Sequence, residues 1–180
     1  MKLIIGLGNP GAKYENTRHN VGHLVIKKLL SLNRLTLQSF PKLSAELAQI
    51  GQGSQDKVFL GISTDYMNNS GLAVQKITAY FKIDPSDIYI IHDDLDLPVG
   101  EWKSQFDRGP AGHNGIKSII DQLGTQAFNR YRIGIDHPRN SANPNLPVED
   151  YVLLPFNSED KETVGRVIDE VCQTIQSRFI

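Results

Sequence analysis

Short β-rich apolar runs alternate with stretches of helical spacing along this chain, and that alternation narrows its fold more than any other feature. Leu3-Ile4-Ile5 reads as a buried strand, and Val21, Leu24, Val25 and Leu32 then fall on one face of a helix. A polar loop follows around Ser39 to Ser44. Glu46 to Ile50 and Lys57 to Ile62 read as two strands joined by a Gly51-Gln52-Gly53-Ser54 turn. Leu72, Ala73, Ile77 and Phe81 mark a second helix, stopped before Pro85, and Ile88-Tyr89-Ile90-Ile91 reads as a central strand. Ile116, Ile119, Ile120 and Leu123 recur at helical spacing up to a closing Gly124. Tyr131 to Ile135 is a further strand, and Val164 to Ile175 a last amphipathic helix with Cys172 on its apolar stripe. This order predicts an α/β fold: a twisted, mixed and largely parallel sheet flanked by helices on both faces. Residues 1–180 are expected to form one domain.

In such sheets ligands bind beyond the carboxyl ends of the strands. The first strand runs into Asn9, the Lys57 strand into Tyr66 to Asn68, and the Ile88 strand into Asp93. A site is expected where these ends meet, with Gly112 to Asn114 at a helix start nearby.

Composition excludes several classes. No run of 18 apolar residues exists, and the N-terminus is strand-like by residue 3 without a cleavable leader pattern. A single cysteine rules out an internal disulfide framework and suits a reducing compartment, so a cytoplasmic protein is expected. The net charge of −1 gives no global basic signature. A nucleic-acid partner therefore requires a local cluster of cations. Lys13, Arg18, Lys103, Arg108, Lys117, Arg130 and Arg132 lie within or beside the motif loops and are its candidates.

The chemistry concentrates in Gly6-Leu7-Gly8-Asn9-Pro10-Gly11, running on through Tyr14 and Thr17-Arg18-His19-Asn20 to Gly22. Gly6, Gly8 and Gly11 fit the spacing of a dinucleotide fingerprint, which also needs a helix opening on the glycines and an acid about 20 residues later. The helical periodicity begins only near Val21, and no Asp or Glu lies between Glu15 and Glu46. The dinucleotide reading fails on both counts. What remains is a tight turn presenting Asn9 and a loop delivering His19 to a helix start.

His92-Asp93-Asp94-Leu95-Asp96 is the second chemical stretch, open to two readings. Its carboxylates offer oxygen ligands to Mg²⁺, although the chain lacks a Walker-type phosphate loop. Alternatively one carboxylate accepts from a histidine ring and fixes its tautomer. His23, one turn after His19, lacks Glu or Cys neighbours that would complete a metal site and is read as a polar helix residue. His113 is expected to orient the Asn114 loop. No serine sits in a G-x-S-x-G elbow and Cys172 reads as core, so general-base activation of water is the simpler chemistry.

The glycine–asparagine–histidine stretch, together with Tyr66-Met67-Asn68-Asn69-Ser70-Gly71 and Gly112-His113-Asn114-Gly115 in the same order, resembles the bacterial-type peptidyl-tRNA hydrolases over nearly the whole chain. The resemblance implies a monomeric esterase, without cofactor or metal, that cleaves the ester between a peptide and tRNA. It implies His19 as general base oriented by Asp93, and Asn9 as the residue distinguishing a blocked peptide from a free aminoacyl group. Asn68 and Asn114 are implied to position the tRNA end and the peptide, although Asn68 also suits a helix cap. Tyr14 and Tyr66 are expected to stack on the nucleotide end, and Met67 to line the pocket. Lys103 and Arg132 match basic positions used toward tRNA phosphate, and Gln105 and Arg132 those that hold its 5′-phosphate.

Some positions depart from the family pattern. Asp65 replaces a usual threonine, Ile62-Ser63 replaces Lys-Pro, and Arg108-Gly109-Pro110-Ala111-Gly112 replaces a more glycine-rich run. Gln105 stands where a second cation is common, which leaves Arg132 as the expected main phosphate contact, helped by Lys103 or Arg108. The rival reading, a non-catalytic RNA-binding relative of the splicing type, would need no working His19–Asp93 pair.

Overall fold

The computed structural model describes residues 1–51 and 57–180. The Gln52-Gly53-Ser54 part of the expected turn lies outside the described residues. One seven-stranded sheet organises the chain, in the order β2-β3-β4-β1-β5-β7-β6. These strands are β1 (Lys2–Gly6), β2 (Gln38–Phe40), β3 (Ala45–Ile50), β4 (Val58–Ser63), β5 (Ile88–Asp94), β6 (Trp102–Phe106) and β7 (Asn129–Gly134). β1 pairs parallel with β4 and β5, and β5 parallel with β7. The outer pairings, β2–β3, β3–β4 and β6–β7, are antiparallel.

The period of two in the central strands feeds two separate cores. Ile4, Tyr89 and Ile91 point into one, which is covered by α1 (Val21–Leu32) and α5 (Ser158–Phe179). Leu3, Ile5, Ile88 and Ile90 point into the other, covered by α2 (Ser70–Phe81) and α3 (Asn114–Leu123). Burial on both faces explains why these strands read as unbroken apolar runs. Cys172 is fully buried on α5, and burial first of all pushes its thiol up to about 12, so it is packing.

The structure differs from the sequence expectation at four places. The buried stripe of α1 is Val21, Val25, Ile26, Leu29 and Leu30, whereas Leu32 is 49% exposed. The loop around Ser39 contains β2, whose polar three residues gave no alternation signal. β6 was not legible either, because this edge strand is half polar with Phe106 half exposed. His23, read as a polar helix residue, is buried, its ring lying where a Cβ on Gly8 would stand.

One close approach sets the site. A Cβ on Gly22 would lie 2.4 Å from the Ile91 carbonyl oxygen, and one on Gly6 would lie 2.1 Å from the Gly22 oxygen. Glycine at both positions lets the start of α1 lie directly on β1 and β5. The turn Arg18-His19-Asn20 is thereby held over the end of β5. Among the described residues no helix is long and apolar enough to cross a membrane.

Candidate active site

The expected meeting of strand ends takes place. His19 leaves the short turn before α1, and Asp93 lies near the end of β5, buried to 2% exposure. His19 Nδ1 is 2.9 Å from each Asp93 carboxylate oxygen. A carboxylate only accepts, so Nδ1 carries the proton and Nε2 keeps its lone pair. Burial alone lowers the basicity of His19, but the charge and hydrogen bond of Asp93 outweigh it, and the imidazole is raised above its ordinary pKa. For Asp93, burial pushes the carboxyl up, while His19 and His113 together hold it well below the usual carboxylate range.

His113, expected only to orient the Asn114 loop, is a second partner of Asp93. Its Nε2 lies 2.9 Å from Asp93 Oδ1, while its Nδ1 accepts from the Ile116 N–H at 3.2 Å. A backbone N–H only donates, so Nδ1 is unprotonated and Nε2–H donates to Asp93. The one clue in sequence was its place before Asn114, at the helix start. His19, Asp93 and His113 also form a cluster whose potential ligand atoms lie within 4.8 Å of one another. The Ile116 bond argues against metal use, because a metal on Nε2 would require the proton on Nδ1, facing that N–H. Nor do the aspartates converge as a cation site. Asp94 is paired with Arg132 at 2.7 Å, and Asp96 lies 4.0 Å from Arg108.

His92 is buried behind the site, with Nδ1 2.6 Å from the Asp93 carbonyl oxygen. Burial, reinforced by His113, pushes its pKa down to about 3, so it remains neutral. Its ring meets that of His113 edge-on with centroids 4.8 Å apart.

Asn9 is held from three directions. Its N–H donates to Asn20 Oδ1 at 2.8 Å, and its carbonyl accepts from Asn20 Nδ2 at 2.9 Å. Its side-chain Oδ1 accepts from the Met67 N–H at 2.8 Å. That last contact decides the amide orientation: the atom facing a backbone donor is the oxygen, and Nδ2 remains to donate. Asn20 was passed over in sequence, although its amide immediately follows His19. The pocket-lining role expected for Met67 is not observed, since its side chain is buried in the α2–α3 core against Gly115. Its N–H, rather than its thioether, serves the site.

Asn68 is exposed and makes no capping bond; the cap position of α2 is Asn69, whose side chain makes none either. Asn114 opens α3 and borders two cavities, one of about 180 Å³ shared with His19 and Asp93, another of about 330 Å³ shared with Asn68. Tyr14 and Tyr66 stand edge to face with centroids 6.3 Å apart, and Tyr66 is 55% exposed.

The cationic candidates divide sharply. Arg18 is buried 4.3 Å from the Tyr151 ring and donates to the Leu154 and Pro155 carbonyls. Arg130 is buried and donates to the Arg108 and Gly109 carbonyls, pinning the loop that carries His113. Arg132 is also buried, with Nε on Asp94 at 2.7 Å and Nη1 on Gln105 at 2.8 Å. Arg132, expected as the main phosphate contact, is thus already committed to Asp94, and releasing it would leave that carboxylate uncompensated. Lys103, its exposed cross-strand neighbour, projects to the same side of the sheet.

Residues 3–179 match the family model described as peptidyl-tRNA hydrolase. A peptidyl-tRNA hydrolase of Lactobacillus acidophilus is 42% identical over 94% of this chain and 88% of its own length. One from Francisella tularensis is 42% identical over 94% and 86%. The solved structure of peptidyl-tRNA hydrolase from Acinetobacter baumannii superposes with a TM-score of 0.88 at 33% identity, covering 98% of this chain and 87% of that one. A histidine–aspartate pair at the strand ends and full-length likeness in both sequence and fold agree: the chain belongs to the peptidyl-tRNA hydrolase family.

Proposed function

We propose that residues 1–180 act as one cytoplasmic, monomeric unit that hydrolyses the ester joining a peptide to the terminal ribose of tRNA. The observation that carries the mechanism is His19 Nδ1 at 2.9 Å from both Asp93 oxygens, which leaves Nε2 as the base. Nε2 takes a proton from water as the water oxygen bonds to the ester carbonyl carbon. Asp93 stabilises the imidazolium so formed. The Asn9 Nδ2 donor, fixed by Met67 and Asn20, is placed to bind the developing oxyanion or the first peptide amide. The tetrahedral intermediate then expels the ribose oxygen, which takes the proton back from His19. The products are a peptide acid and tRNA.

Tyr14 and Tyr66 offer aromatic faces to the terminal nucleotide, a contact that tolerates any tRNA. Asn68 and Asn114 line the approach from the acceptor end. In the 5′-phosphate region Lys103 and Arg108 make the direct contact, with Arg132 as a buried cation behind them. The test is incubation of the pure protein with labelled N-acetyl-aminoacyl-tRNA. Release of the N-acetyl amino acid by the wild type is expected. Absence of release, with intact tRNA binding, would leave only a non-catalytic RNA-binding role.

A further inference from the structure

A further groove of about 420 Å³ opens beside Asn9, and His113 is not among its walls. It lies between the start of α1 and the β3–β4 edge, with Asn9, Asn20, His23, Glu46, Ile62 and Thr64 among its walls. His23 is 7% exposed there; its Nε2 has no hydrogen-bond partner, and burial pushes its pKa down to about 4, so it adds no charge. Lys27, the cation of the groove, is tied to Glu15. Glu46, cross-strand partner of Ile62, makes no ion pair among the described residues and leaves the groove net acidic. Lys103, Arg108, Arg130 and Arg132 all lie on the opposite side of the catalytic pair, around β6 and β7.

The ester joins a polyanion to a peptide, and the two sides of the site differ in charge in the same sense. We propose that the groove beyond Asn9 receives the peptide, and that Glu46 recognises the free α-ammonium of short peptides. The inference rests on the hydrolase reading above and deepens it. Asn9 borders the groove, so a chain whose first amide meets the Asn9 carboxamide continues into it. Backbone phosphates would be repelled by the same wall.

Three substrates test this: a tripeptidyl-tRNA with a free amino terminus, the same molecule after N-acetylation, and N-acetyl-aminoacyl-tRNA, which lacks the two outer residues. Wild type should prefer the free over the acetylated tripeptide by roughly two- to fivefold in kcat/KM, the range of an exposed ion pair. Glu46→Gln should erase that preference and leave N-acetyl-aminoacyl-tRNA unchanged. Thr64→Trp, which fills the groove from an exposed position, should raise KM for both tripeptides, and unchanged turnover of the short substrate would certify its fold. A preference that survives Glu46→Gln would overturn the proposal. So would equal acceleration of all three substrates by Glu46→Gln, which would place RNA phosphates in the groove. Failure of wild type to cleave even the short substrate would instead defeat the hydrolase reading itself.

Discussion

His113 donates from Nε2 to Asp93 at 2.9 Å while its own Nδ1 is fixed by the Ile116 N–H. Asp93 therefore serves two histidines, one oriented by a helix start and the other left with a basic nitrogen. Removing that donor should make the carboxylate more negative in effect and His19 more basic still. His113→Ala is expected to lower kcat by roughly ten- to a hundredfold, the worth of one hydrogen bond to a charged group, with KM little changed. The acid limb of its pH–rate profile should move upward. An unmoved limb would reduce His113 to a helix cap.

His19→Ala should abolish most turnover while leaving tRNA binding intact. The loss of a general base is expected to cost roughly 10²–10⁴ in rate. Single-turnover kinetics on a folded preparation would check it, and near wild-type rates would remove His19 from the chemistry.

The pH dependence has a definite sign. His19 works as its neutral form, and its raised pKa places the acid limb of kcat/KM above that of an ordinary imidazole, with activity rising as pH increases through it. In Asp93→Asn the attraction is gone and burial, which lowers the imidazole, is left alone. The limb should then shift to lower pH beneath a much reduced plateau, because an amide also admits the wrong tautomer. A limb that rises in this variant would contradict the assigned pairing.

Asn9→Asp separates the two ends of the Asn9 carboxamide. A carboxylate still accepts from Met67 N–H, so the turn should keep its shape, but the Nδ2 donor is lost. Wild type should strongly prefer N-blocked over free aminoacyl-tRNA, and the variant should narrow that preference by attracting the free ammonium. Equal kcat/KM ratios in the two proteins would take the discrimination away from Asn9.

Arg132 and Lys103 should fail in different ways. The Arg132–Asp94 pair is buried, and Arg132→Ala strands a carboxylate, at a cost of roughly 3–5 kcal/mol of stability. Lys103→Ala should leave the melting temperature unchanged. It should flatten the plot of log K for tRNA against log salt by about 0.7–0.9, the slope of one phosphate contact. Denaturant melts and salt titrations, with and without the tRNA 5′-phosphate, distinguish the two.

Much of the architecture was legible because it rests on local periodicity. Leu3-Ile4-Ile5 and Ile88 to Ile91 feed two cores at once, and no arrangement other than a covered central sheet buries both their faces. β2 and β6 escaped notice because edge strands need little apolar sequence; their ladder partners, Ala45 to Leu47 and Asn129 to Ile133, supply the pairing.

The sequence by itself determined that a histidine, an asparagine and an aspartate stand at the ends of parallel strands, because residue order and strand polarity fix which end each loop leaves. It also determined the side of the sheet edge on which they gather. Only the tertiary structure decided which groups they serve. His113 reaches Asp93 across 20 residues, Met67 orients Asn9 across 58, and Asp94 claims Arg132 across 38. A charge or a donor in sequence carries no record of whether burial will commit it to a neighbour. That commitment follows from desolvation, which forces a buried polar group to find its partner wherever packing brings one.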